Sequence, residues 1–285
     1  MFLRKKSDGS MRPIVDLREL NQFVKTKHFR LISHGSVPDF LQPGDWMIKI
    51  DLSQAYFHLP AARSHRPFLR ITYKGQLYEM TCLPFGLASA PHLFSAVSCW
   101  VAETLRAKGC RVLVFLDDYL LVNQDHSKLC ARASEAVRHL EHLGWKINYQ
   151  KSVLVPTQNL EYLGIRWNTT DNVMSLPKVK IQRINHTVER TLSKNRINLR
   201  ELQSLLGQLN FANFVVPHGR LHCRQVQIFL RHFNKMRPRR CQLLPQIVVQ
   251  ELMWWLGATH QTTPIHKEPA THFLATDASD WGWGA

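Results

Sequence analysis

Two short hydrophobic runs flank a pair of adjacent carboxylates near the middle of the chain. Val112–Phe115 leads through Leu116 into Asp117 and Asp118, and a second apolar run continues to Val122. Apolar, β-branched and aromatic runs of this length predict two buried strands, with the aspartates where a hairpin turns. Burying an unpaired carboxylate is costly, and two neighbouring carboxylates repel each other. The pattern therefore calls for a compensating charge, and a pair of divalent cations is the simplest candidate.

A third carboxylate closes another apolar run nearer the N-terminus. The turn residues 43–45 precede the strand-like segment Trp46–Ile50, which ends on Asp51. A single aspartate at a strand end is usually a cap or a turn residue. Asp51 becomes a metal-site candidate only if its strand lies beside the strands that flank Asp117 and Asp118.

The rest of the first half alternates between hairpins and amphipathic helices. Turn residues predict hairpins around residues 7–10, at Lys74-Gly75 and within 161–167. Apolar residues at helical spacing predict a helix over 87–107, with Pro91 in its first turn, and another over 129–143. The order β-β-β-α-β-β-α indicates an α+β fold, an antiparallel sheet with helices packed on one face.

The second half is predicted to be helical and basic from Pro177 onward. Asn198 and Glu201 have the spacing of a capping box at the start of a leucine-rich helix. A basic, proline-containing link over 231–240 leads to a last helix over about 245–256. The sequence then begins one more strand, around Asp277, and ends before a domain can form, so we expect a fragment of a longer protein.

Composition favours an intracellular protein without a membrane span. The chain is 45% hydrophobic and 20% charged, as in ordinary globular proteins. No run approaches the roughly 18 apolar residues of a transmembrane helix, and the N-terminus lacks the apolar core of a signal peptide. The six cysteines include no C-x-x-C pair, which is typical of reduced thiols rather than of disulfides or a zinc site.

The net charge indicates a polyanionic partner. The 37 Lys and Arg residues outnumber the 21 Asp and Glu residues, giving a formal charge of +16. A basic excess of this size predicts attraction to nucleic acid, although a merely basic soluble protein stays a possible interpretation.

Three segments together resemble the polymerase motifs of reverse transcriptases. Residues 48–57 (IKIDLSQAYF) resemble motif A, residues 83–91 (LPFGLASAP) resemble motif B, and residues 115–118 (FLDD) resemble the Y-x-D-D box of motif C. Their order and spacing also match. Further likeness covers 12–21 in the fingers, 144–151 as motif D and 160–164 as the primer-grip hairpin. Residues 276–279 resemble the first strand of an RNase H domain.

The resemblance implies a right-hand polymerase with fingers, a palm whose antiparallel sheet is backed by helices, and a helical thumb. We expect partial fingers over 1–45, a palm over 46–170 with a fingers insertion at about 60–82, and a thumb over 171–240. A connection over 241–270 and a truncated start of an RNase H domain over 271–285 would follow. No RNase H activity is expected, because only Asp277 of its carboxylates is recognisable.

The resemblance also implies roles for individual residues. Asp51, Asp117 and Asp118 would be the catalytic carboxylates that hold two Mg²⁺ ions, with Mn²⁺ as a substitute and the backbone carbonyl of Leu52 as a further ligand. The residues implied to bind the incoming deoxynucleoside triphosphate are Lys5, Arg12, Tyr56, Phe85, Gly86 and Lys151. Among them Lys5 and Arg12 would hold the triphosphate, Tyr56 would exclude a ribose 2′-hydroxyl, and Lys151 is a candidate general acid. The primer grip would be Tyr162, Leu163 and Gly164.

Two departures from retroviral enzymes bear on the kind of element. Phe115 stands where retroviral enzymes usually have tyrosine, and Phe85 stands where they have glutamine. Both residues resemble retrotransposon enzymes more closely. The FLDD box and the LRELQSLLG segment resemble DIRS-type elements with a tyrosine recombinase, and LTR elements of the gypsy type are the alternative.

The leading hypothesis is an RNA-directed DNA polymerase of a retroelement that extends a DNA primer on an RNA or DNA template. A catalytically inactive or domesticated remnant that binds nucleic acid is the alternative, although the three carboxylates are intact. An RNA-dependent RNA polymerase would share the metal site, but Tyr56 argues against it. The sequence leaves the oligomeric state open.

Overall fold

The computed structural model describes residues 2–5, 9, 11–269, 271, 275–279 and 282–284. Its strands are β1 (Phe2–Lys5), β2 (Met11–Ile14), β3 (Trp46–Asp51), β4 (Arg70–Tyr73), β5 (Gln76–Glu79), β6 (Arg111–Phe115), β7 (Asp118–Asn123), β8 (Val153–Thr157), β9 (Asn159–Tyr162), β10 (Ile165–Asn168), β11 (Val173–Ser175), β12 (Arg196–Ile197), β13 (Gln242–Leu243), β14 (Thr263–Pro264), β15 (Asp277–Ser279) and β16 (Gly282–Gly284). Its helices are α1 (Arg18–Asn21), α2 (Val37–Phe40), α3 (Ala90–Ala107), α4 (His126–His142), α5 (Lys178–Lys194), α6 (Leu199–Ala212), α7 (Arg224–Leu230) and α8 (Gln246–Ala258).

Four antiparallel strands form the central sheet in the order β6-β7-β3-β8. β6 and β7 are the predicted hairpin, in which Phe115 faces Asp118 across a turn of two residues. β7 also pairs with β3 along its whole length, from Trp46 opposite Asn123 to Asp51 opposite Asp118. The strand that ends on Asp51 is therefore the neighbour of the hairpin strand, as the prediction required.

The two faces of this sheet pack against different cores. On one face, Ile48, Ile50, Tyr119 and Leu121 are buried in the same apolar cluster as residues of α3 and α4. Met47, Leu120 and Val122 alternate with them and belong to a second cluster, built with β9–β11 and the C-terminal helices. Because side chains alternate along a strand, Asp51 and Asp118 lie on this second face. The predicted α+β arrangement, with helices on one face of an antiparallel sheet, is confirmed.

The predicted hairpins form at turns that left-handed backbone makes possible. Lys74 and Gly75 join β4 to β5 with φ of 49° and 76°, and Leu163 and Gly164 join β9 to β10 with φ of 50° and 74°. Two consecutive residues with positive φ are typical of the type I′ turns that match strand twist. β1 and β2 also pair as the predicted basic hairpin.

The C-terminal helices share one core. α5 packs on α6 and α8, and α7 packs on α6 and α8. The predicted capping box begins α6: Asn198 Oδ1 accepts from the Glu201 amide at 3.1 Å, and the Glu201 carboxylate accepts from the Asn198 amide at 3.2 Å. β14 extends the β9–β10–β11 sheet by pairing with β11. Packing is thus continuous across the predicted boundary at 240, and the domain boundaries remain predictions.

Two predicted features lie partly outside the described residues. The backbone of Asp277 is described in β15, which pairs with β16, but its side chain is not. The side chain of Arg12 is likewise outside the described part of the chain. Within the described residues, no helix has the length and apolar character needed to cross a membrane.

Candidate active site

Three carboxylates meet at one end of the central sheet. Asp51 ends β3, Asp118 faces it at the start of β7, and Asp117 lies in the turn between β6 and β7. The amide of Leu52 donates to the carbonyl oxygen of Asp117 at 2.9 Å, which ties the turn to β3. The turn carries a strained residue, because Leu116 has a φ of 52° although it is not glycine.

A pocket of about 250 Å³ opens beside these carboxylates. Its polar lining comes from the end of β3, the turn and the segment after α4. The lining residues are Asp51, Leu52, Ser53, Gln54, Ala55, Tyr56, Phe85, Asp117, Asn148 and Lys151. Six of the predicted site residues are among them: Asp51, Leu52, Tyr56, Phe85, Asp117 and Lys151.

Asp118 carries the main electrostatic cost of the site. Burial, followed by the nearby carboxylates of Asp117 and Asp51, raises the pKa of Asp118 to about 6, against the opposing attraction of Lys49. Lys49 Nζ lies 3.8 Å from Asp118 Oδ1, too far for a hydrogen bond. That buried oxygen has no hydrogen-bond partner in the described part of the chain.

The donor set fits hard divalent cations. A buried carboxylate oxygen without a hydrogen bond, next to two further carboxylates, offers the oxygen ligands that Mg²⁺ prefers. In the described residues, however, no group of three His, Cys, Asp or Glu side chains is arranged so that it could hold a metal ion. This arrangement suits Mg²⁺, which usually takes one or two protein carboxylates and completes its shell with water and substrate phosphates.

The segment after α4 holds Asp51 in place. The Asp51 amide donates to Ser152 Oγ at 3.0 Å, and the Asn148 amide donates to the Asp51 carbonyl oxygen at 2.8 Å. Ser152 Oγ in turn donates to the Asn148 carbonyl oxygen at 2.8 Å. Lys151, between these two residues, therefore reaches the pocket from a fixed turn.

Two aromatic side chains, Tyr56 and Phe85, also line the pocket. The ring of Tyr56 lies 4.9 Å from that of Phe85 and 5.4 Å from that of Phe94, between ring centroids. The ring of Phe57 supports Phe85 from a distance of 5.3 Å. Contacts of this kind restrain Tyr56, so its position in the pocket is set by packing.

The segment around Gly86 is fastened to the end of α1. Asn21 Nδ2 donates to the Gly86 carbonyl oxygen at 2.9 Å, and the Ala88 amide donates to Asn21 Oδ1 at 2.8 Å. Gly86 has a φ of 104°, and a Cβ there would lie 3.0 Å from the Val15 carbonyl oxygen. Only glycine fits this close approach without strain.

The other nucleotide-binding candidates lie on the N-terminal hairpin. Lys5 is exposed at the end of β1, where its backbone pairs with Met11, and Arg12 follows in β2. Among the described residues that line the pocket, Lys5 and Gly86 are absent. The structure therefore does not bring Lys5 to the pocket.

The predicted primer-grip turn touches both the β6–β7 hairpin and the C-terminal helices. Tyr162 is buried, and its hydroxyl donates to the Asp118 carbonyl oxygen at 3.2 Å. Burial raises the pKa of Tyr162, so this hydroxyl stays protonated. At the turn itself, Lys180 fills the space beside Gly164 and its Nζ lies 3.5 Å from the centroid of the Phe211 ring.

Comparison with known families decides the classification. The family described as "Reverse transcriptase (RNA-dependent DNA polymerase)" matches residues 3–167, more than half of the chain. The chain belongs to the reverse transcriptase family. This match contains all three carboxylates and the lining of the pocket, so the predicted family is confirmed.

Relatives and solved structures agree with this assignment. The Gag-Pol polyprotein of walleye dermal sarcoma virus is 26% identical over 224 residues, which is 78% of this chain and 12% of that polyprotein. The foamy viral protease-reverse transcriptase in complex with double-stranded DNA has a TM-score of 0.75 at 20% identity, covering 90% of this chain and 43% of that one. The same viral enzyme in complex with an RNA/DNA hybrid has a TM-score of 0.72 at 19% identity, covering 90% and 33%. This chain thus spans about an eighth of the polyprotein and less than half of the solved chains, and it shares their fold.

Four residues of this reverse transcriptase site were not assigned roles from the sequence. Lys49 faces Asp118, Asn148 and Ser152 hold the backbone of Asp51, and Asn21 fastens the segment around Gly86. Lys49 could have been found, since it lies two residues before Asp51 on the same face of the strand. The other three act across long sequence separations, which no local pattern indicates.

Proposed function

We propose that this chain is the RNA-directed DNA polymerase of a retroelement and extends a DNA primer by nucleotidyl transfer. One observation carries the proposal: Asp51 and Asp117 line the same pocket as Tyr56 and Phe85, and Asp118 lies directly opposite Asp51 on the neighbouring strand. Membership of the reverse transcriptase family supports the same reaction. The proposal concerns the activity of this chain, which is only part of its relatives' length.

Two Mg²⁺ ions would be held by Asp51, Asp117 and Asp118, and when bound they supply the activation of the primer hydroxyl and the neutralisation of charge on the phosphates. The chain itself positions the reacting groups. The hydrogen bond from the Leu52 amide fixes the turn that bears Asp117, and the hydrogen bond from the Asn148 amide fixes the turn that bears Lys151. Lys151, which lines the pocket, would give a proton to the departing pyrophosphate.

Tyr56 would select deoxynucleotides. Its ring is braced by Phe85 and Phe94, so it cannot easily move away from a sugar bound in the pocket. We expect Tyr56→Val to raise the ratio of ribonucleotide to deoxynucleotide incorporation by about tenfold or more, because a lost steric clash of 1.4 kcal/mol already changes a ratio tenfold. Single-nucleotide extension with each sugar measures this ratio.

Phe57→Leu is the matched control, because Phe57 is the next residue in sequence but lies one ring further from the pocket. An unchanged ratio in Tyr56→Val would contradict the proposed role of Tyr56 in selecting deoxynucleotides.

The proposed partners are an RNA or DNA template with its DNA primer, and deoxynucleoside triphosphates. The structural neighbours were solved with double-stranded DNA and with an RNA/DNA hybrid, and the charge of +16 favours such partners. We also propose an intracellular location and a DIRS-like element, with a gypsy-type element as the alternative, from the FLDD box and the thumb segment. Residues 271–285 would be the start of an RNase H domain.

Primer extension tests the proposed reaction. With an RNA template, a DNA primer, Mg²⁺ and deoxynucleotides, wild type should extend the primer and Asp117→Asn should lose at least about 10³-fold in rate, as expected when a metal-ligating carboxylate is removed. Asp39→Asn makes the same change at an exposed carboxylate outside the pocket and should extend normally.

The possible outcomes separate the hypotheses. Equal rates in wild type and Asp117→Asn would contradict the assignment of the carboxylates. Template–primer binding without extension in wild type would instead favour the inactive remnant. Extension with ribonucleotides only would favour an RNA polymerase.

A further inference from the structure

Ser98 lies directly behind the turn that carries Asp117. It is in the middle of α3, is 1% exposed, and its hydroxyl donates to the carbonyl oxygen of Leu116 at 2.6 Å. The hydroxyl of Tyr119, which is fully buried, lies 2.7 Å from Ser98 Oγ and 3.3 Å from the Ser98 carbonyl oxygen. Since Ser98 has one hydroxyl proton and gives it to Leu116, Tyr119 donates to Ser98. The result is a chain of hydrogen bonds from Tyr119 through Ser98 to the turn.

The bond from Ser98 acts on a strained point of the backbone. Leu116 has a φ of 52°, a conformation that costs a residue other than glycine roughly 1–2 kcal/mol. Such a conformation persists only when the surroundings fix it. A buried, short hydrogen bond to the carbonyl of that residue fixes the plane of the peptide between Leu116 and Asp117, and with it the direction in which the Asp117 side chain leaves the turn.

The turn is held from two sides by independent elements. On the sheet side, the Leu52 amide donates to the Asp117 carbonyl oxygen at 2.9 Å. On the helix side, Ser98 holds the preceding carbonyl, that of Leu116. Losing the second contact would remove the support that α3 gives to the Leu116 carbonyl, while the contact between Asp117 and β3 would remain.

We propose that Ser98, oriented by Tyr119, is a positioning residue that holds Asp117 in the geometry needed for divalent cation binding and nucleotidyl transfer. The inference rests on the proposed polymerase function for its kinetic part. Its metal-binding part can be measured without any reaction. Ser98 itself touches neither substrate nor cation.

Ser98→Ala is the direct test. We expect kcat for primer extension to fall about tenfold while the KM for the deoxynucleotide changes less than about twofold, because the variant disturbs alignment and not the nucleotide pocket. The same variant should weaken Mn²⁺ binding by about threefold or more, measured without nucleic acid by the electron paramagnetic resonance of free Mn²⁺. Asp117→Asn defines the signal of a site that has lost the turn carboxylate.

Two variants separate positioning from stability. Val101→Ala removes buried volume from α3 about one turn further on and should lower the melting temperature at least as much as Ser98→Ala, yet leave kcat and Mn²⁺ affinity unchanged. Tyr119→Phe leaves the Ser98 to Leu116 bond in place, so its kcat should fall only about two- to threefold. If Ser98→Ala does not fold, the Mn²⁺ affinity and kcat of Tyr119→Phe decide instead.

A double-mutant cycle tests the route through the backbone. Glycine adopts positive φ without strain. In a Leu116→Gly background, Ser98→Ala should therefore reduce kcat by less than half of the factor by which it reduces kcat in the wild-type background. An equal fold-loss in both backgrounds would overturn the proposal, as would unchanged kcat and Mn²⁺ affinity in Ser98→Ala. If wild type binds Mn²⁺ but extends no primer, the polymerase function fails, while weaker Mn²⁺ binding in Ser98→Ala would still support the positioning role.

Discussion

Asp118 shows how the site trades stability for function at the scale of a single residue. Its side chain is about a quarter exposed, its partner Lys49 is 3.8 Å away, and two other carboxylates are its neighbours. In the proposed function, this cost would be offset when the same carboxylates bind a divalent cation. A carboxylate placed for stability alone would have a close partner, as Asp45 has in Arg111 at 2.8 Å.

The raised pKa predicts the direction in which pH acts on stability. The folded protein disfavours the charged form of Asp118. Its contribution to the free energy of unfolding is therefore most favourable below pH 3.8, the usual pKa of the side chain. The contribution becomes less favourable as pH rises to about 6 and is constant above that. In EDTA, Asp118→Asn should therefore be more stable than wild type at pH 7.5, by about 1–3 kcal/mol, since one pKa unit corresponds to 1.36 kcal/mol. The gain should shrink at pH 4.

Urea unfolding at the two pH values measures this difference, and Asp39→Asn is the control for loss of an exposed carboxylate. Asp118→Asn should at the same time be inactive in primer extension. A variant that is less stable than wild type at pH 7.5 would show that Asp118 is a structural residue and not a strained ligand.

Sequence reasoning reached the residues whose chemistry is unusual and missed those whose chemistry is ordinary. Asp117 and Asp118 stand out because carboxylates interrupt an apolar run. Ser98 and Asn148 carry common side chains inside a helix and a loop, and their importance comes from what folding brings next to them. Lys5 illustrates the opposite case: a residue implied by the resemblance lies on the predicted hairpin, but the structure does not bring it to the pocket.

Elements were predictable where local chemistry decides them. The hairpin turns at Lys74-Gly75 and Leu163-Gly164 could be predicted because each contains a glycine, which adopts positive φ without strain, and α6 begins at its capping box. The pairing of β3 with β7 joins segments that are distant in sequence. The sequence therefore did not predict this pairing, and the role of Asp51 was made conditional on it. Packing of α8 against α5 and α7 was not predicted, because the apolar pattern of a helix does not name its partner.

The capping box gives a prediction at the scale of an element. Asn198→Ala removes the acceptor of the Glu201 amide and should lower the free energy of unfolding by about 1 kcal/mol, since caps of this kind contribute about that much. Asn198→Asp keeps an acceptor and should stay within about 0.5 kcal/mol of wild type. Urea denaturation followed by circular dichroism measures both. Equal losses in the two variants would mean that Asn198 acts through something other than its cap.

At the scale of the whole molecule, most basic residues of the described chain lie outside the candidate pocket, to whose lining Lys151 contributes. Basic residues recur along α5 and through the exposed link 231–240, whereas the carboxylates of the site are concentrated at one end of the central sheet. This separation suits the proposed polymerase, in which the cationic surface would bind a long polyanion without specificity and the acidic pocket would accept cations and a triphosphate.

The charge predicts a strong effect of salt on binding to a template–primer duplex. Each phosphate contact contributes a slope of up to about −0.9 to a plot of log affinity against log salt, so three or more contacts give a slope steeper than about −2.5. Fluorescence anisotropy with a labelled duplex between low and physiological salt measures it. Asp117→Asn should show nearly the same slope, because that carboxylate repels phosphate rather than contacting it and the net charge of +16 is almost unchanged. A flat plot for wild type would mean that the basic surface does not bind the backbone of nucleic acid. A steep plot together with lost extension in Asp117→Asn would support the proposal that the basic surface provides binding and the three carboxylates provide chemistry.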